Sequence, residues 1–199
     1  MDAEVGKRLA EFDLNVPPGV LQGCLAYLSL LTRWNRRMNL TALPLGDSTP
    51  DASIDKLLVE PLLAADLVPE NCSSWIDLGS GGGSPAIPLR LVHRQGFSRL
   101  VEARERKCAF LREAIRTLEL GHTRVDSVRF ESLNVETSVD LITIRAVRLD
   151  SPLLQQISSW LGIGGTLMCF GGAVDSSGFQ QSGERPLPDG SLVRTYRRT

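Results

Sequence analysis

Trp75-Ile-Asp-Leu-Gly-Ser-Gly-Gly-Gly-Ser-Pro-Ala-Ile-Pro-Leu89 is the stretch on which the reading of this chain turns. Ser74 to Leu78 is short and apolar, as a buried strand should be. It runs into Gly79-Ser80-Gly81-Gly82-Gly83, and a helix-like apolar run follows through Leu91. Glycine has no Cβ, so the backbone turns sharply there and lies directly against a ligand. The helix that opens after the turn directs unpaired N–H groups at the same place. Strand, glycine turn and helix together make a seat of nucleotide size.

Neighbouring residues narrow the nucleotide. A dinucleotide fingerprint requires a third glycine three residues after the second. Counted from Gly81 that position is Ser84, so the pattern fails at its helix-packing glycine. Asp77 stands two residues before the first glycine, and Glu102 closes the next strand 21 residues after Gly81. A carboxylate at that strand end accepts hydrogen bonds from both hydroxyls of an adenosine ribose. Asp-x-Gly-x-Gly-x-Gly with the later acid resembles the cofactor loop of class I S-adenosylmethionine-dependent methyltransferases. The glycines alone would also suit a plain tight turn.

Outward from this loop the chain divides in two. Asp2 to Phe12, Gly19 to Arg37 and Asp51 to Ala65 read as helices, the third interrupted near Pro61, with a loop from Leu43 to Pro50. No strand is evident before residue 73, so residues 1–70 are expected to form a helical cap and residues 71–199 the main domain. From there strands and helices alternate, the pattern of a parallel α/β sheet. Strands are expected at Arg99 to Glu102, Thr123 to Val128, Val139 to Ile144 and Thr166 to Phe170. Helices are expected at Arg104 to Leu120 and Ser151 to Leu161, and a closing antiparallel hairpin across Pro186 to Gly190. Ligands of such sheets sit beyond the carboxyl ends of the strands. That gathers Asp77, the glycines, Glu102, Phe130, Glu131 and Arg145 around one crevice.

Composition sets limits. A chain of 199 residues with 42% hydrophobic and 23% charged residues suits one globular domain with a small appendage. No apolar run approaches the roughly 20 residues of a membrane span, and the N-terminus lacks the basic start and apolar stretch of a signal peptide. Cys24, Cys72, Cys108 and Cys169 are scattered and form no Cys-x-x-Cys pair. They fit reduced thiols of a cytoplasmic protein. With only His93 and His122 besides, no metal site is expected. The net charge of −1 hides a nine-basic, four-acidic stretch over residues 90–124. Such a surface suits a phosphate backbone as partner, or is simply a solvated helix face.

The order of motifs resembles the small-subunit ribosomal RNA guanine-N7 methyltransferase family. Four blocks carry the likeness over roughly residues 21–170. They are Trp34-Asn35-x-x-x-Asn39-Leu40-Thr41, Asp77-x-Gly-Ser-Gly-x-Gly-x-Pro85-x-Ile87-Pro88-Leu89, Arg106-Lys107-x-x-Phe110-Leu111 and Ile144-Arg145-Ala146-Val147. Two positions depart from the family pattern, Leu57 where a histidine is usual and Phe170 where a lysine is usual; both fall on the expected RNA side.

The resemblance implies a class I sheet with an N-terminal helical cap, S-adenosylmethionine as cofactor and guanine N7 of small-subunit (16S) ribosomal RNA as target. It further implies that Asp77, Gly79, Gly81, Gly83, Ser84, Glu102, Phe130, Glu131 and Arg145 hold the cofactor. Arg145, just past an apolar strand, would be costly as an unpaired core charge, so it is expected to face the crevice and touch cofactor or RNA. Asn39 is expected to act at the target base, with Thr41, Arg36 and Arg37 on the substrate. Asn and Thr also suit a helix end, and the arginines a solvated face. Methyl transfer from a sulfonium is an in-line displacement, and N7 carries no proton, so alignment rather than a general base is the need. A monomer is the expectation. Other readings stay open: the same fold acting on another RNA or a small molecule, a non-catalytic binding module, or an oxidoreductase, which Ser84 disfavours.

Overall fold

A computed structural model describes residues 2–46 and 48–199; Asp47, within the expected 43–50 loop, lies outside the described residues. The molecule is built on one seven-stranded sheet in the order β3-β2-β1-β4-β5-β7-β6. The strands are β1 Ser74–Leu78, β2 Phe97–Val101, β3 Thr123–Asp126, β4 Val139–Arg145, β5 Leu161–Phe170, β6 Phe179–Pro186 and β7 Leu192–Arg198. The first five run parallel, and the hairpin of β6 and β7 closes the sheet antiparallel against β5. The chain leaves β1 towards β2 and β3, then returns to β4 and β5 on the other side. Leu78 pairs with both Val101 and Ile144, so the strand order reverses at β1 and β4 and the crevice opens beyond their carboxyl ends.

Local chemistry explains the elements. Helix α1 spans Asp2–Ala10, and α2 spans Pro18–Asn35, with proline in its first turn where no N–H partner is lost. The short apolar run after the glycines becomes α4, Ala86–Val92. Helix α5, Glu105–Thr117, turns Cys108, Phe110, Leu111 and Ala114 inward at helical spacing. Helix α6, Ser151–Trp160, is capped by Asp150, whose carboxylate accepts the Leu153 N–H at 3.0 Å. The helices before residue 73 share one core with the sheet. Val5, Leu9, Tyr27, Leu28 and Ile54 belong to the same buried cluster as Trp75, Ile87, Phe110 and Met168. No helix among the described residues is long and apolar enough to cross a membrane.

One expected break is absent. Residues 51–63 form a continuous helical run (α3), in which Pro61 ends nothing. The middle of that run, Asp55–Val59, is a widened π-type turn, and Glu60 N–H reaches back five residues to the Asp55 carbonyl. In that register the donor due to Lys56 would come from Pro61, which has none. The helix passes the proline and leaves the Lys56 carbonyl without a partner inside the helix.

The candidate active site at the glycine loop

The loop after β1 is shaped by its glycines and held from three sides. Gly79, Gly81 and Gly83 have φ of +71°, +54° and +95°, a region that side chains disfavour. A Cβ on Gly83 would lie 2.4 Å from the Ile87 side chain, so helix packing also requires glycine there. From the cap, the buried Tyr27 hydroxyl donates to the Gly82 carbonyl at 2.7 Å. From β2, one Glu102 oxygen accepts Gly81 N–H at 3.0 Å and the other accepts Arg104 N–H at 2.8 Å. Glu102 therefore joins the end of β2 to the loop, and its remaining lone pairs border the recess beside it.

Asp77 lies beneath the loop, 1% exposed. Trp75 Nε1–H donates to Thr143 Oγ1 at 2.9 Å, and the Thr143 hydroxyl donates to Asp77 Oδ1 at 2.5 Å. Asp77 Oδ2 is buried with no partner. Burial raises this carboxyl to about 6, against the lowering effect of the Thr143 hydroxyl bonded to it and the Ser80 hydroxyl nearby. A buried carboxylate oxygen left unsatisfied is costly, and a cationic or hydrogen-bonding ligand would relieve it.

Two recesses flank the loop. One, of about 170 Å³, is walled by Gly79, Val101, Glu102, Val128, Phe130 and Glu131. The other, of about 210 Å³, is walled by Leu40, Thr41, Lys56, Leu57, Ser84 and Arg145, with Gly82 between. A larger hollow of about 720 Å³ opens at the opposite, amino ends of β2 and β3 around Phe97 and His122. It contains none of the glycine-loop residues, so its size says nothing about this site.

The residues singled out from the sequence thus fall into two groups. Gly79, Glu102, Phe130 and Glu131 wall the first recess, while Asp77, Gly81 and Gly83 belong to the strand end and loop beside it. Ser84 and Arg145 face the second recess, alongside Thr41. Arg145 reaches the Lys56 carbonyl freed by the π-type turn, Ser84 Oγ at 3.0 Å and Glu60 at 3.0 Å. Its guanidinium stacks 4.4 Å over the Phe170 ring. Ser84 Oγ donates to the same Lys56 carbonyl at 3.1 Å. Lys56 Nζ in turn stands 2.9 Å from Glu60 and 2.7 Å from Asp189 in the β6–β7 turn. Phe170 and Leu57, the two departures from the family pattern, are both buried here.

Asn39 is exposed on the bend after α2, as are Arg36 and Arg37, and Arg36 has a partner in the structure. The geometry of that bend is set by a residue the sequence reading passed over. Asn35 Oδ1 accepts the N–H groups of both Leu40 and Thr41, at 2.8 and 3.0 Å, which fixes the segment that lines the second recess. Trp34 packs its edge on Phe110 at 5.8 Å, in the core. Tyr27 was also passed over. Its apolar helical spacing reads as core, and nothing local announces the hydroxyl contact 55 residues away.

The basic stretch over residues 90–124 is not one cationic face. Arg90 is buried, bonded to the backbone carbonyls of residues 93–96 and 121. Arg99 and Arg124 share Asp126, Arg112 pairs with Glu105 and Arg116 with Glu113. Acids on the same surface neutralise much of the expected patch.

Comparison with known proteins agrees with this architecture. Solved structures of similar fold include an rRNA methylase from Streptococcus thermophilus, with TM-score 0.52 and 13% identity over 70% of this chain and 94% of that one. A ribosomal protein L11 methylase from Lactobacillus delbrueckii subsp. bulgaricus matches with TM-score 0.54 and 16% identity over 70% of this chain and 76% of that one. These establish the class I methyltransferase fold. In sequence, the Ribosomal RNA small subunit methyltransferase G of Xanthomonas oryzae pv. oryzae is 36% identical over 155 residues, 75% of this chain. The match spans 65% of that relative's own length. The model of the family described as rRNA small subunit methyltransferase G matches residues 21–192, and with the glycine loop, the acidic strand ends and the Trp34–Thr41 bend in place, this chain belongs to that family.

Proposed function

We propose that the protein is an S-adenosylmethionine-dependent methyltransferase acting on N7 of a guanine in small-subunit ribosomal RNA. One observation carries the reading: the glycine loop, with the unpartnered Asp77 oxygen buried at the strand end before it, separates two recesses, one edged by Glu102, the other by Thr41, Ser84 and Arg145. The residues present fit the cofactor. Glu102 is positioned to accept from ribose hydroxyls, Phe130 and Glu131 to border the adenine, and Asp77 to answer a cationic amino or sulfonium group. When bound, the cofactor supplies an electrophilic methyl group.

The chain's own work is then alignment. Loop glycines admit close approach, Tyr27 and Glu102 hold the loop still, and Asn35 holds the bend carrying Asn39 and Thr41 towards the base. Nothing in the reaction needs a general base, because N7 attacks through a lone pair and leaves no proton to remove. The charge that begins on the sulfonium ends on the methylated base.

Methyl transfer from labelled S-adenosylmethionine to small ribosomal subunits lacking the mark, followed by mapping of the modified base, tests this directly. Label at one guanine N7 is expected. Tight cofactor binding with no label in any ribosomal RNA would refute the substrate. It would favour the same fold acting on another RNA or a small molecule, a reading supported by the apolar Leu57 and Phe170 at the second recess.

A further inference from the structure

Resting on the RNA reading above, the ion-pair pattern points to where the RNA backbone lies. We infer that its phosphates are held by a rim of unpaired cations at the carboxyl edge of the sheet, formed by Arg104, Arg106, Lys107, Arg129 and Arg148. The flank of α5 takes no part, although its sequence is equally basic.

The argument is a sorting of cations by partner. Several arginines away from the mouth have an acid: Arg8 with Asp55, Arg99 and Arg124 with Asp126, Arg112 with Glu105, Arg116 with Glu113, Arg185 with Asp66, although Arg94 on the flank has none among the described residues. Such pairs cancel at the distance of a phosphate and gain nothing from releasing its counterions. The five rim residues form no ion pair with any described residue, and all but Lys107 are exposed. Each follows the carboxyl end of a strand. Arg104 precedes α5 after β2, and Arg106 and Lys107 lie in its first turn. Lys107 Nζ lies 3.7 Å from where a Cβ on Gly81 would be. Arg129 walls the first recess. Arg148 follows β4, one residue after Val147, whose methyl would lie 3.1 Å from a Cβ on Gly79. Beside them stand three exposed carboxylates: Glu131; Glu105, which is held by Arg112 and Ser127; and Asp150, which is engaged in capping α6.

The arrangement has a physical rationale. A base presented to the second recess brings its flanking phosphates over the mouth, where five positive charges outside any ion pair attract them. Exposed phosphate contacts specify no sequence but fix register, which is the alignment that an in-line transfer needs. The acids along α5 keep the rest of that helix from competing for the backbone.

Two variants separate rim from flank: Arg104→Gln/Arg106→Gln/Arg148→Gln, and Arg112→Gln/Arg116→Gln. Affinity for transcribed small-subunit ribosomal RNA is measured for each and for the parent between about 50 and 200 mM salt, with S-adenosylmethionine binding followed by calorimetry. Each phosphate contact contributes about 0.7–0.9 to the slope of log affinity against log salt. Over this range the parent should lose about 20–40-fold more affinity than the rim variant. The flank variant should keep the parent's slope, and both should bind S-adenosylmethionine as the parent does. A rim variant with the parent's slope, or a flank variant that flattens it equally, overturns the proposal. A parent that binds the cofactor but no ribosomal RNA removes the substrate reading and this rim with it. Rim-dependent RNA binding without methyl transfer leaves the rim standing and removes only the enzymatic reading.

Discussion

Asp77→Asn should make the ligand-free protein more stable relative to the parent as pH rises, and at the same time impair cofactor binding. Asp77 is fully buried, with Oδ1 held by Thr143 and Oδ2 unpartnered, and burial lifts its carboxyl from 3.8 to about 6. The sign follows from linkage. Between about pH 4 and pH 6 the folded state binds a proton that the unfolded state has released, so unfolding free energy falls as pH rises through that window. Above the folded value the penalty is complete. A gap of roughly two pH units at about 1.4 kcal/mol each is about 3 kcal/mol. Asparagine has no such dependence, and any fixed cost of its buried amide shifts its curve without tilting it. Denaturant unfolding of both proteins from about pH 4 to pH 8 should therefore show the difference between them moving by about 3 kcal/mol in favour of the Asp77→Asn variant and levelling off above about pH 6. In the parent, S-adenosylmethionine should release a proton near pH 6, seen as binding heats that depend on the buffer's ionisation enthalpy. Parallel stability curves, or buffer-independent heats, would refute the argument that Asp77 is an unsatisfied buried charge awaiting a ligand.

Other sites separate stability from function. Arg90→Met should remove the hydrogen bonds to five backbone carbonyls, costing about 3–5 kcal/mol, and lower the Tm by about 6–15 °C in a calorimetric scan. Gly96→Ala should also destabilise, by about 2–4 kcal/mol. Its Cβ would lie 2.5 Å from the Ser73 carbonyl at a φ of +72°, and the unfolding midpoint in urea reads the loss. Asn35→Ala should cost about 1–3 kcal/mol in stability by freeing the Leu40 and Thr41 N–H groups. It should reduce methyl transfer more than S-adenosylmethionine affinity, because the bend lines only the second recess; equal losses in kinetics and calorimetry would contradict that division.

By itself the sequence determined the sheet and its loop. Short apolar runs, glycines at a turn and amphipathic helices are local signals, because burial and backbone freedom are set by each residue and its near neighbours. Hence β1, the Asp77 and Glu102 strand ends, α5 and the final hairpin stand where the pattern placed them. Only the tertiary structure decided what those residues touch. The expected break at Pro61 vanished because a π-type turn absorbs it, and the carbonyl this frees is claimed by Arg145, 89 residues away. The basic stretch over residues 90–124 divided, with Arg99, Arg112, Arg116 and Arg124 in ion pairs and Arg104, Arg106 and Lys107 outside them, because charge cancels through space, and no spacing rule shows that Asp126 serves Arg99 and Arg124 together. Nothing in the sequence assigned a contact to Tyr27 or Asn35, yet one holds the glycine loop and the other the bend beside it. Contacts between distant segments are fixed by packing and hydrogen-bond satisfaction over the whole fold, which no window of sequence contains.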